Sequence, residues 1–241
     1  DRRYSDVIER ALYNGIISGA SLDGKRFFYD NYLASFPGTH RFTGQRDPVR
    51  QNWFDTACCP PNLARLLASL GQYVYSQTAD SVFVHLFVNG ETGIWIGGRD
   101  VRLVQTTQYP WNENVRIDVS PASPATFTVA VRIPGWCEDA RVTVNGEAVA
   151  TTSGLSRGYL KLRRRWKKGD RIQLRLCMPV ERVESHPSVR HNCGRIALQR
   201  GPVVYCLEQK DNGKDLHDVL LPRQTKLAMQ AGSASLLKGI P

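Results

Sequence analysis

The sequence has no run of about 18 or more apolar residues and no segment built like a secretory signal peptide. The first absence argues against a membrane-spanning helix, which needs about 20 mostly apolar residues, so no membrane partner is expected. No internal repeat and no low-complexity segment is found along the 241 residues. The apolar fraction of 41% and the charged fraction of 22% indicate a globular protein with a substantial core.

The chain starts without an initiator methionine, and its first residues, DRRYSDVIERAL, have the pattern of a domain interior. We therefore expect it to be the C-terminal portion of a longer protein. Its six cysteines are too few in so long a chain to indicate a disulfide scaffold. Because reactive thiols suit a reducing compartment, a cytoplasmic location is expected, with a secreted or periplasmic location left open.

Positive charge is in excess, with a formal net charge of +10 at pH 7. Part of the excess comes from one run: Arg163, Arg164, Arg165, Lys167 and Lys168. Such a run can bind an anionic polymer, but a solvated strand end and turn explains it more simply. We therefore expect no nucleic-acid partner and rank an anionic-polymer binder last among the alternatives.

The hydrophobic period changes once, near residue 78. Before it, apolar residues recur at helical spacing over 5–18 and 62–75, with Ser5 or Asp6 as the expected cap of the first helix and Gly19 as its end. The connection over 19–57 is long enough to be a functional loop or lid. Two helices cannot bury their apolar stripes alone, so a larger helical body is expected around them.

After residue 80 the period becomes two, and short strands alternate with turns rich in proline and glycine. Asn145-Gly146 between valine-rich segments is a strong hairpin signal. The pattern predicts an antiparallel β-sandwich over 78–212, which follows a helical part over 1–77 and precedes a tail over 213–241. The expected fold class is therefore α+β with more than one domain.

Two adjacent cysteines lie in the stretch WFDTACCPPNLARLL. Pro60 suits the first turn of a helix, and the residue before a proline avoids helical geometry, so Cys59 is expected to be extended at or near the N-cap. The positive end of the helix would lower the pKa of both thiols. Inert burial, a vicinal disulfide and a zinc or nucleophile site all stay open on this evidence. The four scattered cysteines, 137, 177, 193 and 206, are expected to be small buried hydrophobes.

TACCPPNLARLLASLGQYVYS resembles the signature of glycoside hydrolase family 127, the β-L-arabinofuranosidases. The resemblance extends through IERALYNGIISGASLDGKRFFYDNYL, VRIPGW, GYLKLRRRWKKGDRIQLRL and HPSVRHNCGRIALQRGPVVYCLE, and covers roughly residues 1–212. It implies an (α/α)6 barrel, here represented by its last helices, followed by the antiparallel β-sandwich. It also implies a carbohydrate substrate, of the kind found in plant glycans that contain arabinose.

The same resemblance implies a retaining mechanism with a zinc cofactor. Cys58 matches the nucleophile and a zinc ligand, Cys59 matches a zinc ligand, and Tyr29 resembles a position that faces the sugar. A third cysteine ligand, a glutamate ligand and the acid/base glutamate are expected upstream of Asp1, so this chain alone is expected to be inactive and to bind zinc poorly. His40 is a weaker candidate ligand. The alternative function is a non-catalytic carbohydrate-binding or dimerisation module, and a homodimer is left open.

Overall fold

The computed structural model describes residues 1–29, 49–56, 58–213 and 215–230, without the side chains of Lys210 and His217. It contains few helices and several β-sheets. The α-helices are α1 (Arg2–Ala11), α2 (Cys59–Ser69) and α3 (Gln209–Asn212). The strands are β1 (Tyr75–Gln77), β2 (Ser81–Val84), β3 (Gly90–Ile96), β4 (Arg99–Thr107), β5 (Asn114–Pro121), β6 (Ala125–Arg132), β7 (Ala140–Val144), β8 (Glu147–Val149), β9 (Leu155–Ser156), β10 (Tyr159–Trp166), β11 (Asp170–Leu176), β12 (Val180–Glu184), β13 (Ile196–Arg200) and β14 (Val203–Tyr205).

Helix α1 begins earlier than its apolar stripe predicts. Asp1 caps it, accepting a hydrogen bond from the backbone N–H of Arg3, so the expected cap at Ser5 or Asp6 is wrong. The helix continues as a π-helical turn over Leu12–Ile16 and a 3-10 turn that ends at Gly19, as expected. The predicted apolar stripe is only partly inside, because Leu12 is buried while Val7 is 68% exposed.

Helix α2 begins directly at the cysteine pair. Cys58 is its N-cap, with φ −75° and ψ −36°, and Cys59 is its first residue, so the expected extended geometry of Cys59 is wrong. The two prolines occupy the first turn, where a missing N–H costs nothing. None of the residues of α2 is buried among the residues that the structure describes. The (α/α)6 barrel to which this helix was assigned stays a prediction.

Two sheets form the sandwich. One has the strand order β1-β2-β6-β10-β9 and the other the order β3-β4-β5-β11-β7-β8. Their inner faces supply the core, which includes Val129, Leu160, Leu103 and Ile172, and Tyr75 joins them by accepting a hydrogen bond from Gln105 at 2.8 Å. The sandwich is not wholly antiparallel, because β2 runs parallel to β6.

The predicted hairpin is present. Asn145 and Gly146 connect β7 to β8 with φ values of 54° and 88°, the left-handed geometry that a two-residue turn requires. The side chain of Asn145 donates to Asp170 at 2.9 Å and accepts from the backbone N–H of Arg171 at 2.8 Å. These two bonds attach the hairpin tip to the neighbouring strand β11.

A buried ion-pair cluster joins α1 to the sandwich. Arg132, at the end of β6, is wholly buried and pairs with Asp6 at 2.6 Å and with Glu9. Glu9 also accepts from the hydroxyl of Tyr109 at 2.5 Å and from the indole of Trp136 at 3.3 Å. The inward face of α1 is therefore charged. For this reason the spacing of apolar residues predicted the wrong start and the wrong buried face for this helix.

The strands after residue 176 form a separate three-stranded antiparallel sheet, β12-β13-β14. They belong to a second compact unit, Cys177–Pro241, whereas the first unit is Asp1–Leu176. The sandwich of the structure thus ends at Leu176, while the sequence predicted it to continue through residue 212. Alternation identifies strands but does not say which strands pair, so the pattern alone could not place this break.

The basic run lies on the exposed end of β10 and the turn after it, where Arg163 pairs with Asp80 at 3.1 Å. Of the four scattered cysteines, only Cys137 is buried, so the expected burial of Cys177, Cys193 and Cys206 is wrong. In the described part of the chain, no helix is both long and apolar enough to cross a membrane.

Candidate active site

Two chain segments frame the cysteine pair. Phe27 and Gln51 exchange backbone hydrogen bonds of 3.0 Å in an antiparallel bridge, which fixes residues 20–29 beside residues 49–56. Phe54 is buried beside this bridge, with its ring centroid 5.2 Å from that of Phe27 and 5.7 Å from that of Tyr29. The aromatic contacts therefore hold Tyr29 close to the start of α2.

The two thiols point toward each other. The sulfurs of Cys58 and Cys59 are 3.5 Å apart, and both cysteines are free. Cys58 is exposed, whereas Cys59 is half-buried and its thiol lies 3.7 Å from the backbone carbonyl oxygen of Tyr29. The hydroxyl of Thr56 lies 4.0 Å from the sulfur of Cys58. The open side of the pair is thus the side of Cys58.

These neighbours favour the thiolate of Cys58. Its pKa is lowered below the ordinary thiol value, chiefly by the hydrogen bond from Cys59 and further by the hydroxyls of Thr56 and Tyr29. An exposed thiol with a lowered pKa is the arrangement expected of a nucleophilic cysteine. A lowered pKa was expected from the position of Cys58 at the helix terminus, and the hydrogen-bond donors around its sulfur are a further cause.

The spacing of the thiols suits half of a zinc site. Two thiolates of a tetrahedral zinc, each about 2.3 Å from the metal, lie about 3.8 Å apart, and the two sulfurs here are 3.5 Å apart. Among the residues that the structure describes, no group of three or more histidine, cysteine, aspartate or glutamate residues could hold a metal ion. Within the described residues, the two adjacent sulfurs therefore have the spacing of two ligands of a tetrahedral zinc.

The structure brings together Tyr29, Cys58 and Cys59, the three site residues predicted from the sequence. His40 lies outside the described residues. Trp53, the residue before the buried Phe54, is 55% exposed. Thr56 was missed, although it stands two residues before the pair, because a threonine in a loop carries no distinguishing pattern.

Three family models match the chain in succession. The GH127 β-L-arabinofuranosidase catalytic domain matches residues 1–72, the GH127 middle domain matches residues 81–178, and the glycoside hydrolase family 127 C-terminal domain matches residues 180–241. The boundary between the second and third matches falls within a few residues of the break between the two compact units. The catalytic-domain match contains α1, α2 and the cysteine pair.

Individual relatives agree with these matches. A non-reducing end β-L-arabinofuranosidase of Bifidobacterium longum subsp. longum is 38% identical over 88% of this chain and 33% of its own length. The crystal structure of a GH127 β-L-arabinofuranosidase from Geobacillus stearothermophilus T6 is 53% identical, with a TM-score of 0.89 over 94% of this chain and 36% of that one. The structure of a GH127 β-arabinofuranosidase is 37% identical, with a TM-score of 0.77 over 88% of this chain and 34% of that one.

The chain thus spans about a third of the length of the relatives it matches. Nearly all of its residues fall within domains of one family, and the signature around Cys58 and Cys59 lies in the part that matches the catalytic domain. The chain belongs to glycoside hydrolase family 127.

Proposed function

We propose that this chain carries the nucleophile of a retaining glycoside hydrolase that removes terminal β-L-arabinofuranosyl or related sugars from glycans. The observation that carries the proposal is the exposed Cys58 thiol at the start of α2, with its lowered pKa and its neighbours Cys59, Thr56 and Tyr29. The named activity of the relatives from B. longum and G. stearothermophilus supports the choice of sugar.

In the proposed reaction, the thiolate of Cys58 attacks the anomeric carbon. A carbon–sulfur bond forms, the bond to the leaving oxygen breaks, and a general acid protonates that oxygen. Water then gives a proton to the conjugate base of that acid and attacks the same carbon, the carbon–sulfur bond breaks, and Cys58 leaves again as a thiolate. Two displacements return the original anomeric configuration. The hydroxyls of Thr56 and Tyr29 favour the charged sulfur, so they orient it before attack and stabilise it as the leaving group.

Cys58 and Cys59 would hold a zinc ion together with ligands from elsewhere. Such an ion keeps a bound thiol deprotonated and fixes its position. Cys59 has no role in bond formation in this proposal, since its sulfur lies deeper than that of Cys58 and against the backbone of Tyr29. Its proposed function is to position the sulfur of Cys58 and to favour the thiolate form of that sulfur.

The acid/base and the further zinc ligands are proposed to belong to the part of a longer protein that the chain lacks. Glu9 is the glutamate that comes before the cysteine pair in the sequence, and it is buried and held by Arg132, Tyr109 and Trp136. A carboxylate so enclosed cannot reach a leaving group beside Cys58. We therefore propose that the 241 residues alone do not hydrolyse glycosides and bind zinc weakly.

Replacement of the nucleophile tests the proposal. In a protein extended to the length of the relatives, Cys58→Ser should abolish hydrolysis of p-nitrophenyl β-L-arabinofuranoside, since a serine hydroxyl stays protonated at neutral pH. Hydrolysis at an undiminished rate would refute the role of Cys58. Cys193→Ser is the matched control, because it removes an exposed thiol of the second unit and should leave the rate unchanged.

Metal content gives a separate test. The extended protein, purified without chelator, should contain one zinc per chain and lose it on Cys59→Ser. An active protein without zinc would refute the metal assignment while leaving Cys58 as the nucleophile.

A further inference from the structure

Asn62 holds the carbonyl group of Cys58 from the first turn of α2. Its side-chain Nδ2 donates to the Cys58 carbonyl oxygen at 2.9 Å, while its backbone N–H reaches the same oxygen at 3.4 Å. The side chain thus makes the shorter of the two bonds.

Arg65 fixes the orientation of this side chain. One of its guanidinium nitrogens donates to Oδ1 of Asn62 at 3.2 Å. Because only the oxygen of the carboxamide can accept that bond, the NH₂ group is left facing Cys58. Arg65, Asn62 and the Cys58 carbonyl form a chain of two hydrogen bonds.

The two prolines make Asn62 important for holding Cys58. Pro61 has no N–H that could donate to the Cys58 carbonyl in a 3-10 type bond, so Asn62 is the first residue of the turn whose backbone can donate to it. The attachment of the N-cap to its helix is therefore concentrated on Asn62, the first residue after the prolines.

We propose that Asn62 is a positioning residue for the thiol of Cys58. By clamping the carbonyl of Cys58, it sets the rotation of the peptide plane between the two cysteines, and thereby holds their sulfurs 3.5 Å apart on one side of the helix mouth. The inference rests on the proposed role of Cys58, but it concerns the placement of the sulfur and not the chemistry of the sugar.

A bidentate thiol reagent can test this in the 241-residue chain without any activity. Phenylarsine oxide joins two close thiols, forming two arsenic–sulfur bonds and releasing one water. Its capture by the peptide that contains both cysteines is measured by titration and mass spectrometry, with Cys58→Ser as background. Asn62→Ala removes the donor, whereas Asn62→Ser restores one, since a serine hydroxyl can bond to the carbonyl four residues earlier.

Asn14→Ala is the matched control. Asn14 donates from Nδ2 to the carbonyl of Arg10 at 2.9 Å, which is the same bond between residues four apart in another helix. Its loss should leave arsenical binding unchanged. Asn62→Ala should weaken binding about 3- to 10-fold, as expected for one net hydrogen bond, and Asn62→Ser should return it to within about twofold of the wild type.

Equal binding by Asn62→Ala and the wild type would overturn the proposal. Equal weakening in the alanine and serine variants would overturn it too, because the donor would then not be what matters. These outcomes are independent of the proposed function: a Cys58→Ser enzyme that still hydrolyses arabinofuranosides would refute the nucleophile and leave the arsenical result as it stands.

Discussion

Replacement of Arg132 by methionine should destabilise the first unit severely. Arg132 is wholly buried, and Glu9 beside it is 2% exposed at the side chain. Methionine fills much of the space but leaves the carboxylate of Glu9 without its cation. Removing one partner of a buried ion pair costs about 3–5 kcal/mol, because the remaining charge stays buried and unpaired.

The effect of Glu9→Gln should then change sign with the background. In the wild type this substitution removes a partner of Arg132, which keeps Asp6 at 2.6 Å, so a loss of about 1–3 kcal/mol is expected. In the Arg132→Met background the same substitution removes a buried, unpaired charge and should restore part of the loss. The neutral side chain still offers an oxygen to the hydroxyl of Tyr109.

Urea unfolding of the four proteins, followed by tryptophan fluorescence, measures these differences. Trp136 is a suitable reporter, since its indole donates to Glu9 at 3.3 Å. A free energy of unfolding for Arg132→Met within about 1 kcal/mol of the wild type, or equal destabilisation of both backgrounds by Glu9→Gln, would refute the role of this ion pair. Either result would mean that α1 is attached to the sandwich by something other than this cluster.

Three further outcomes are expected. Gly146→Ala should cost about 1–2 kcal/mol in urea unfolding, because φ is +88° with nothing crowding the site, whereas Gly93→Ala, with equally open space and no positive φ, should not destabilise. Burial, and secondarily the charge of Arg132, lower the pKa of His85 below 6.5. The neutral form is therefore favoured in the folded state, and the free energy of unfolding should fall as the pH drops below about 6.5, less steeply in His85→Gln. Iodoacetamide at neutral pH should label Cys58 before the buried Cys137, as read by peptide mass spectrometry; the reverse order would contradict the lowered pKa.

Local signals in the sequence predicted the elements that depend on local chemistry. Asn145-Gly146 specifies its hairpin because both positions need a positive φ, which these residues tolerate best. The prolines after the cysteine pair specify the start of α2, because their fixed φ and missing N–H suit the first turn of a helix. Alternating residues predicted strands over most of the sandwich.

Features that depend on distant partners could not be predicted. The inward face of α1 carries Glu9, whose burial depends on its pairing with Arg132. The two residues are 123 positions apart in the sequence. The spacing of apolar residues therefore predicted burial for residues such as Val7, which is exposed. Strand β2 pairs in parallel with β6, and the strands after Leu176 form a separate sheet. Alternation of apolar and polar residues does not indicate which strands pair, so it could not predict either feature.

The candidate site could also be predicted only in part from the sequence. Cys58 and Cys59 are neighbours in the chain, so their proximity is given by the sequence. The approach of Tyr29 depends on the bridge between Phe27 and Gln51 and on the ring of Phe54, which only the fold brings together. The hydrogen bond from Asn62 needs the turn of α2 to form.

The most direct measurement is peptide mass spectrometry of the extended protein, quenched during turnover of an activated β-L-arabinofuranoside. One pentosyl group is expected on the sulfur of Cys58 and none on Cys59. A pentosyl group on a carboxylate, or turnover that inverts the anomeric configuration with no adduct at all, would contradict the assignment of Cys58 as the nucleophile.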